Sequence, residues 1–348
     1  MQQTGIGAAV VALAIGLGTC SGSRPAEVPI SADPPAGDRT PEDRSGEAPP
    51  PIEDAGAVDD LSISLERRQS APDTTAFYGR LVGDLKAGRP LVATVYVALC
   101  DNDSQGIVPV KNRSICDGDV PMQNMYWVGD GALAGLAKKR RWTSASRVEA
   151  PSGELLIEQI WTATARPGPK LRAAGVVEPF QVVVVGRAYR GDRIHRAFVD
   201  YLRAVHDDDA STTKLGGGEL AYGGAGHLVG YVGHDYMMDV QPGSPQLREV
   251  VEATRGDSAL AKGVFALACA GDAWIRPFIS RDNIYVMALN VYLAFPNAWA
   301  FDGILDGIAA HGDGAELHRA AAKGFAKGQA CDLGWALKAL AYGPERAE

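Results

Sequence analysis

From residue 75 onward the chain alternates between unbroken apolar runs of strand length and segments with a helical period. The runs cover residues 91–99, 180–186, 228–233, 263–268 and 284–293. Each is rich in Val, Leu, Ala and aromatic residues without polar alternation, which is how strands buried on both faces of a parallel sheet read. Between them lie helix-period segments. Asp192 precedes Ile194, Phe198, Leu202 and Val205, and residues 246–261 carry Leu247, Val250, Val251 and Ala253 on one side. Residues 77–88, 125–137, 274–279, 299–310 and 316–340 read as further helical segments. Residues 142–148 and 154–165 alternate apolar with polar around Pro151-Ser152-Gly153, a hairpin signal placed at an edge or as an insertion. The glycine-rich stretches 215–218 and 222–226 precede a strand rather than opening a helix, so they read as flexible loops and not as a phosphate cradle. The expected fold class is α/β, a mostly parallel central sheet with helices on both faces and a flanking β-hairpin.

The N-terminus has a different character. Residues 6–18 are apolar and end in Leu17-Gly18-Thr19-Cys20. This run is shorter than a comfortable membrane span and suits a signal-peptide core. Residues 1–19 are therefore expected to be an export signal, with Cys20 as the lipidated first residue of a bacterial lipoprotein of the cell envelope and plain secretion as the alternative. Residues 20–74, rich in Pro, Gly, Asp and Glu, lack the apolar content to offset their ordering entropy and are expected to be a disordered tether. That leaves 75–348 as a single α/β domain. A net charge of −8 argues against a nucleic-acid partner, which would need a basic face. The one basic cluster, Lys138 to Arg141, follows an apolar helix-like run and reads as a solvated helix end.

In an open α/β sheet ligands bind beyond the carboxyl ends of the strands. The five runs bring Asp101 and Asn102, His234 and Asp235, Cys269, and Asn290 to that edge. Among these Cys269 is the strong nucleophile and His234 the base poised near neutral pH, so they form the candidate catalytic pair. Asp101, Asn102, Asp235 and Asn290 are candidate substrate-binding residues; Asp101 or Asp235 would orient the imidazole or receive a basic group, and a simple turn cap is the alternative for Asp101 and Asn102. Gly233 and Gly271 leave room for close approach, with amides near them as candidate oxyanion donors. No cofactor is expected. No metal is expected either, since His227 and His234, the only such pair at short spacing, would point to opposite faces of a strand.

The pattern resembles the caspase, legumain and gingipain group of cysteine peptidases, in which one hydrophobic strand ends in His-Gly and a later one in Ala-Cys. Here these are His234-Asp235, with Asp in the place of Gly, and Ala268-Cys269. The resemblance implies a caspase-like three-layer sandwich and a Cys/His peptidase acting on a peptide or protein substrate. A second resemblance, to a set of bacterial proteins, rests on Cys100-Asp101-Asn102 followed by Gln105 to Val110 and on the stretch from Gly233 to Val240. It runs from about residue 90 to the C-terminus and supports the fold rather than the function. The competing class is a non-catalytic surface lipoprotein that holds a peptide, glycan or protein at the same edge. Besides Cys20 the chain has four cysteines, Cys100, Cys116, Cys269 and Cys331. They allow three full pairings. A bond between Cys269 and Cys331 would make the candidate nucleophile inert.

Overall fold

The computed structural model describes residues 74–105, 115–207, 210–294 and 297–343. The expected export signal, Cys20 and the tether up to residue 73 lie outside them.

The strands, in chain order, are β1 (Leu91–Ala98), β2 (Thr143–Glu149), β3 (Leu155–Ala165), β4 (Phe180–Tyr189), β5 (Ala210–Leu215), β6 (Gly218–Gly223), β7 (Leu228–Val232), β8 (Lys262–Leu267), β9 (Ile284–Asn290) and β10 (Leu340–Ala341). The main helices are α1 (Thr74–Lys86), α2 (Leu133–Lys139), α3 (Ile194–His206), α4 (Pro245–Ala253), α5 (Gly271–Trp274), α6 (Trp299–Ala309), α7 (Gly314–Gln329) and α8 (Leu333–Ala339). Eight strands form one sheet in the order β10-β9-β8-β7-β1-β4-β3-β2. Its centre, β9-β8-β7-β1-β4, is parallel throughout. β3 and β2 extend it antiparallel at one edge and β10 at the other, so the hairpin read at 142–165 is an edge.

Strand β1 shows how the sheet is covered. Leu91, Ala93, Val95 and Val97 pack in the cluster that contains Phe77 of α1, Leu133 of α2, Phe301 of α6 and Leu317 of α7. Tyr96 and Ala98, the alternate residues, pack with Phe198 of α3 and Val250 of α4. A smaller cluster joins Val92, Val183 and Val185 to Leu220 and Tyr222 of the β5–β6 hairpin. All residues of β1, β7, β8 and β9 are buried, which is why each reads as an unbroken apolar run.

Several expected elements end elsewhere. Residues 215–218 are the turn of a hairpin rather than a flexible loop. Gly216 and Gly217 both adopt positive φ, 59° and 84°, the turn whose twist matches antiparallel strands, and Leu215 pairs with Gly218. The helix read over 246–261 is capped by Ser244, whose side chain accepts from Leu247 N, and stops at Ala253. The helix read over 316–340 breaks at Ala330, left-handed at φ 52°; Asp332 then caps α8. Of the segment 125–137 only the end is α-helical, as α2, and the strand read to 293 leaves the sheet after Asn290.

Candidate functional site

The chain passes from β1 to β4 on one side and returns to β7 on the other, so strand order reverses at β1. The carboxyl ends of β1 and β7 therefore flank the crevice where open α/β sheets bind ligands. Val97 of β1 pairs with Val232 of β7, and Val232 with Leu267 of β8. His234 and Cys269 thus each stand two residues beyond one directly paired couple. They leave adjacent strands at the same level of the sheet.

Gly233 makes the exit from β7. At φ 158°, a Cβ there would lie 3.0 Å from the Ala98 carbonyl oxygen, so this glycine serves the approach of β7 to β1. The Tyr231 hydroxyl donates to the His234 carbonyl at 2.7 Å and holds the turn. The half-buried imidazole bonds through Nε2 to Asp239 Oδ2 at 2.7 Å. Asp235 does not have the expected orienting or substrate-binding position. It is 0% exposed, its Oδ1 accepts from Met237 N at 3.0 Å, and its Oδ2 is buried without a partner. Burial, the largest cause, pushes its carboxyl up to about 7. Orienting the imidazole falls instead to Asp239.

Cys269 lies on the turn from β8 to α5 and is half-buried. Its Sγ donates to the Ala294 carbonyl at 3.4 Å. Burial pushes the thiol up, and the Asp235 carboxylate adds to the rise while the Ala294 contact opposes it. The next residue, Ala270, is left-handed at φ 50°, a conformation costing a non-glycine residue about 1 to 2 kcal/mol. The Gly271 amide donates to Ala268 O at 3.3 Å within the turn and the Ala270 amide to Tyr292 O, beyond β9, at 3.1 Å, so both amides at the expected oxyanion position on this loop are engaged. Among the described residues no hydrogen bond joins Cys269 to His234. Asn290, at the end of β9, is 1% exposed, so it does not present its amide at the surface. Its Oδ1 has no partner.

Asp101 and Asn102 line a pocket of about 440 Å³ at the carboxyl ends of β1 and β4. Asp103, Asp117, Asp119 and Asp192 join them, and among the described residues Arg190 is the one cation on its wall. Arg190 is held by Asp119 and Asp192, each at 3.1 Å. A Cys100–Cys116 disulfide ties Asp117 and Asp119 to the end of β1. Asn124 braces this loop: its amide spans the Cys100 backbone, accepting from N at 3.2 Å and donating to O at 2.7 Å. Asp101 also makes the turn-capping contacts that its residue type favours, accepting from Ser104 Oγ at 2.5 Å and Asp103 N at 3.2 Å.

No disulfide joins the remaining thiols, Cys269 and Cys331, so the pairing that would make Cys269 inert is not formed. His227 stands at the opposite edge, before β7, where Nε2 meets Asp84 Oδ2 at 2.9 Å and Nδ1 accepts from Val92 N at 3.2 Å. Among the described residues no group of three or more His, Cys, Asp or Glu side chains is placed to hold a metal ion, and no helix is long and apolar enough to cross a membrane. Nothing in the apolar pattern marks Asp239, Asp117 or Asp119. Only the acidic residues flanking Cys116, taken with a Cys100–Cys116 bond, offered a signal for the last two. Comparison with family models, curated proteins and solved structures returns no match.

Proposed function

We propose that this protein is an exported, lipid-anchored cysteine hydrolase of caspase-like architecture that cleaves peptides at basic residues. The observation that carries the proposal is the register: His234 and Cys269 follow the paired Val232 and Leu267 on adjacent parallel strands. Asp239 on Nε2 favours the tautomer with its proton there, leaving Nδ1 as the base. Nδ1 takes the Cys269 proton as the thiol leaves Ala294 O, and the thiolate forms a C–S bond to the scissile carbonyl carbon. The C–N bond then breaks, the imidazolium protonates the leaving amine, and water hydrolyses the thioester. The acidic pocket at β1 and β4 is two strands from β8, about 10 Å at the usual spacing, within reach of a Lys or Arg side chain beside the scissile bond.

A second reading is favoured by a specific observation: the thiol is raised and bonded to Ala294 rather than to His234. In it the same edge binds a cationic peptide without cutting it. Turnover of peptidyl-Lys and peptidyl-Arg amides by wild type, compared with Cys269→Ser, decides between the two. Loss of turnover in the variant supports the hydrolase. Equal turnover in the two excludes Cys269 as the nucleophile, and none in either with retained peptide binding leaves the binding reading.

A further inference from the structure

The basic cluster Lys138 to Arg141 does more than end a helix. Lys139 and Arg140 line a groove of about 950 Å³ together with residues of α6 and α7. Among the described residues six cationic side chains and three carboxylates line it. All three carboxylates are already engaged: Asp302 and Asp306 hold Arg140 at 2.5 and 2.8 Å, and Glu316 holds Lys170 at 2.5 Å. Lys139 pairs with Asp130 at 2.5 Å, a residue that does not line the groove, and Arg319, Lys323 and Lys327 remain. Their spacing of four residues puts them in one stripe along α7, rising about 6 Å from each to the next. All three are exposed, and none forms an ion pair among the described residues.

Lys327, at one end of the stripe, stands over Trp299, which also lines the groove. Lys327 Nζ lies 3.7 Å and Lys139 Nζ 5.1 Å from the Trp299 ring centroid, so two ammonium groups lie against one aromatic ring. Arg319, Lys323 and Lys327, gathered along one stripe without an ion-paired carboxylate among the described residues, repel one another, while the chain as a whole carries −8. An anionic ligand removes that repulsion. Lysine ammonium groups, non-directional point charges, suit phosphate oxygens better than one planar carboxylate.

We propose that this groove binds a ligand carrying several phosphate groups, contacted by Arg319, Lys323, Lys327 and Lys139. Such a ligand has two sources, a soluble polyphosphate or the headgroups of an anionic lipid surface. Calorimetric titration with inorganic tripolyphosphate, and co-sedimentation with phosphatidylglycerol vesicles against phosphatidylcholine vesicles, distinguish them. The test compares wild type with the triple variant Arg319→Ala/Lys323→Ala/Lys327→Ala, and with a charge-matched control, Lys214→Ala/Arg248→Ala/Lys338→Ala, whose sites are exposed elsewhere. Thermal melts establish that all three proteins are folded. Binding of either probe is expected to weaken about tenfold or more in the stripe variant, to persist in the control, and to fall with added salt. Tripolyphosphate alone obeying this pattern identifies the soluble source; anionic vesicles alone identify the lipid surface. Equal loss in the control, or binding of neither probe by wild type, overturns the proposal.

Discussion

Val232 on β7 is paired directly with Leu267 on β8, and the imidazole of His234 and the thiol of Cys269 follow each at the same interval. Adjacent strands lie about 4.8 Å apart, so the two side chains start from neighbouring backbone positions. If His234 is the base, His234→Ala should lower turnover by about 10² to 10⁴-fold, the usual worth of general base catalysis. Its half-buried ring contributes little to the core, so circular dichroism should be unchanged. Asp239→Ala removes only a partner whose side chain is 60% exposed, and should cost severalfold rather than orders of magnitude, a distinction steady-state kinetics resolves.

Asp235 should leave a pH signature on stability. Its carboxyl titrates near 7 in the fold, against an ordinary value of 3.8. Between those values the folded chain holds a proton that the unfolded chain has released, so this residue's contribution falls as pH rises from about 4 to 7. Asp235→Asn keeps an oxygen for Met237 N–H and removes the titration. The variant should match wild type near pH 4 and exceed it above pH 7, by at most about 4 kcal/mol at 1.36 kcal/mol per pH unit. Urea melts at pH 4 and pH 8 check this; a difference that does not change with pH contradicts it.

Among the described residues three alanines are left-handed, and besides Ala150 they are Ala270 beside Cys269 and Ala330 between α7 and α8. Glycine takes this backbone state without the Cβ penalty, so either Ala→Gly change should stabilise the fold by about 0.5 to 1 kcal/mol after its unfolded-state entropy is offset. Only Ala270→Gly should also change the rate at which iodoacetamide modifies Cys269, because only that strain aims the thiol. Equal thiol rates in both variants would separate the strain from the site.

Cys116→Ser opens a loop of 16 residues that the disulfide closes. A loss of about 3 kcal/mol is expected. The acidic pocket should suffer with it, since Asp117 and Asp119 are held at the end of β1 by that bond. KM for a Lys-containing peptide should rise while kcat stays within a few-fold, whereas a role in the chemistry itself would lower kcat.

The five parallel strands were legible because nearly every residue in them is buried, and burial leaves few polar residues, such as Thr94 and Gln181, to interrupt the runs. The β5–β6 hairpin was not. Its strands carry Ser, Thr and Lys over a partly exposed surface, and its Gly216-Gly217 turn sits inside a glycine-rich stretch that reads equally as a loop. The break in the long C-terminal helix was hidden in the same way: Ala330 is a strong helix former, yet it ends α7 as a left-handed cap whose N–H bonds Ala326 O. In the site, His234 and Cys269 follow from strand ends. Asp239 does not, because it returns to the imidazole only through the one-turn helix Tyr236–Met238, which the buried Asp235 caps. Chain position alone placed Asp235 on the rim; its burial comes from the elements packed around it.

Covalent trapping tests the central claim most directly. Wild type, His234→Ala and Cys269→Ala would each be incubated with an acyloxymethyl ketone carrying lysine next to its reactive carbon, and the adduct mapped by mass spectrometry. One adduct per chain on Cys269 in wild type, greatly slowed in His234→Ala, absent in Cys269→Ala and blocked by an excess of the lysine peptide, is the expected result. Adduct formed on Cys331 as readily as on Cys269, or on Cys269 at the same rate without His234, would contradict the assignment of a catalytic pair to this edge of the sheet.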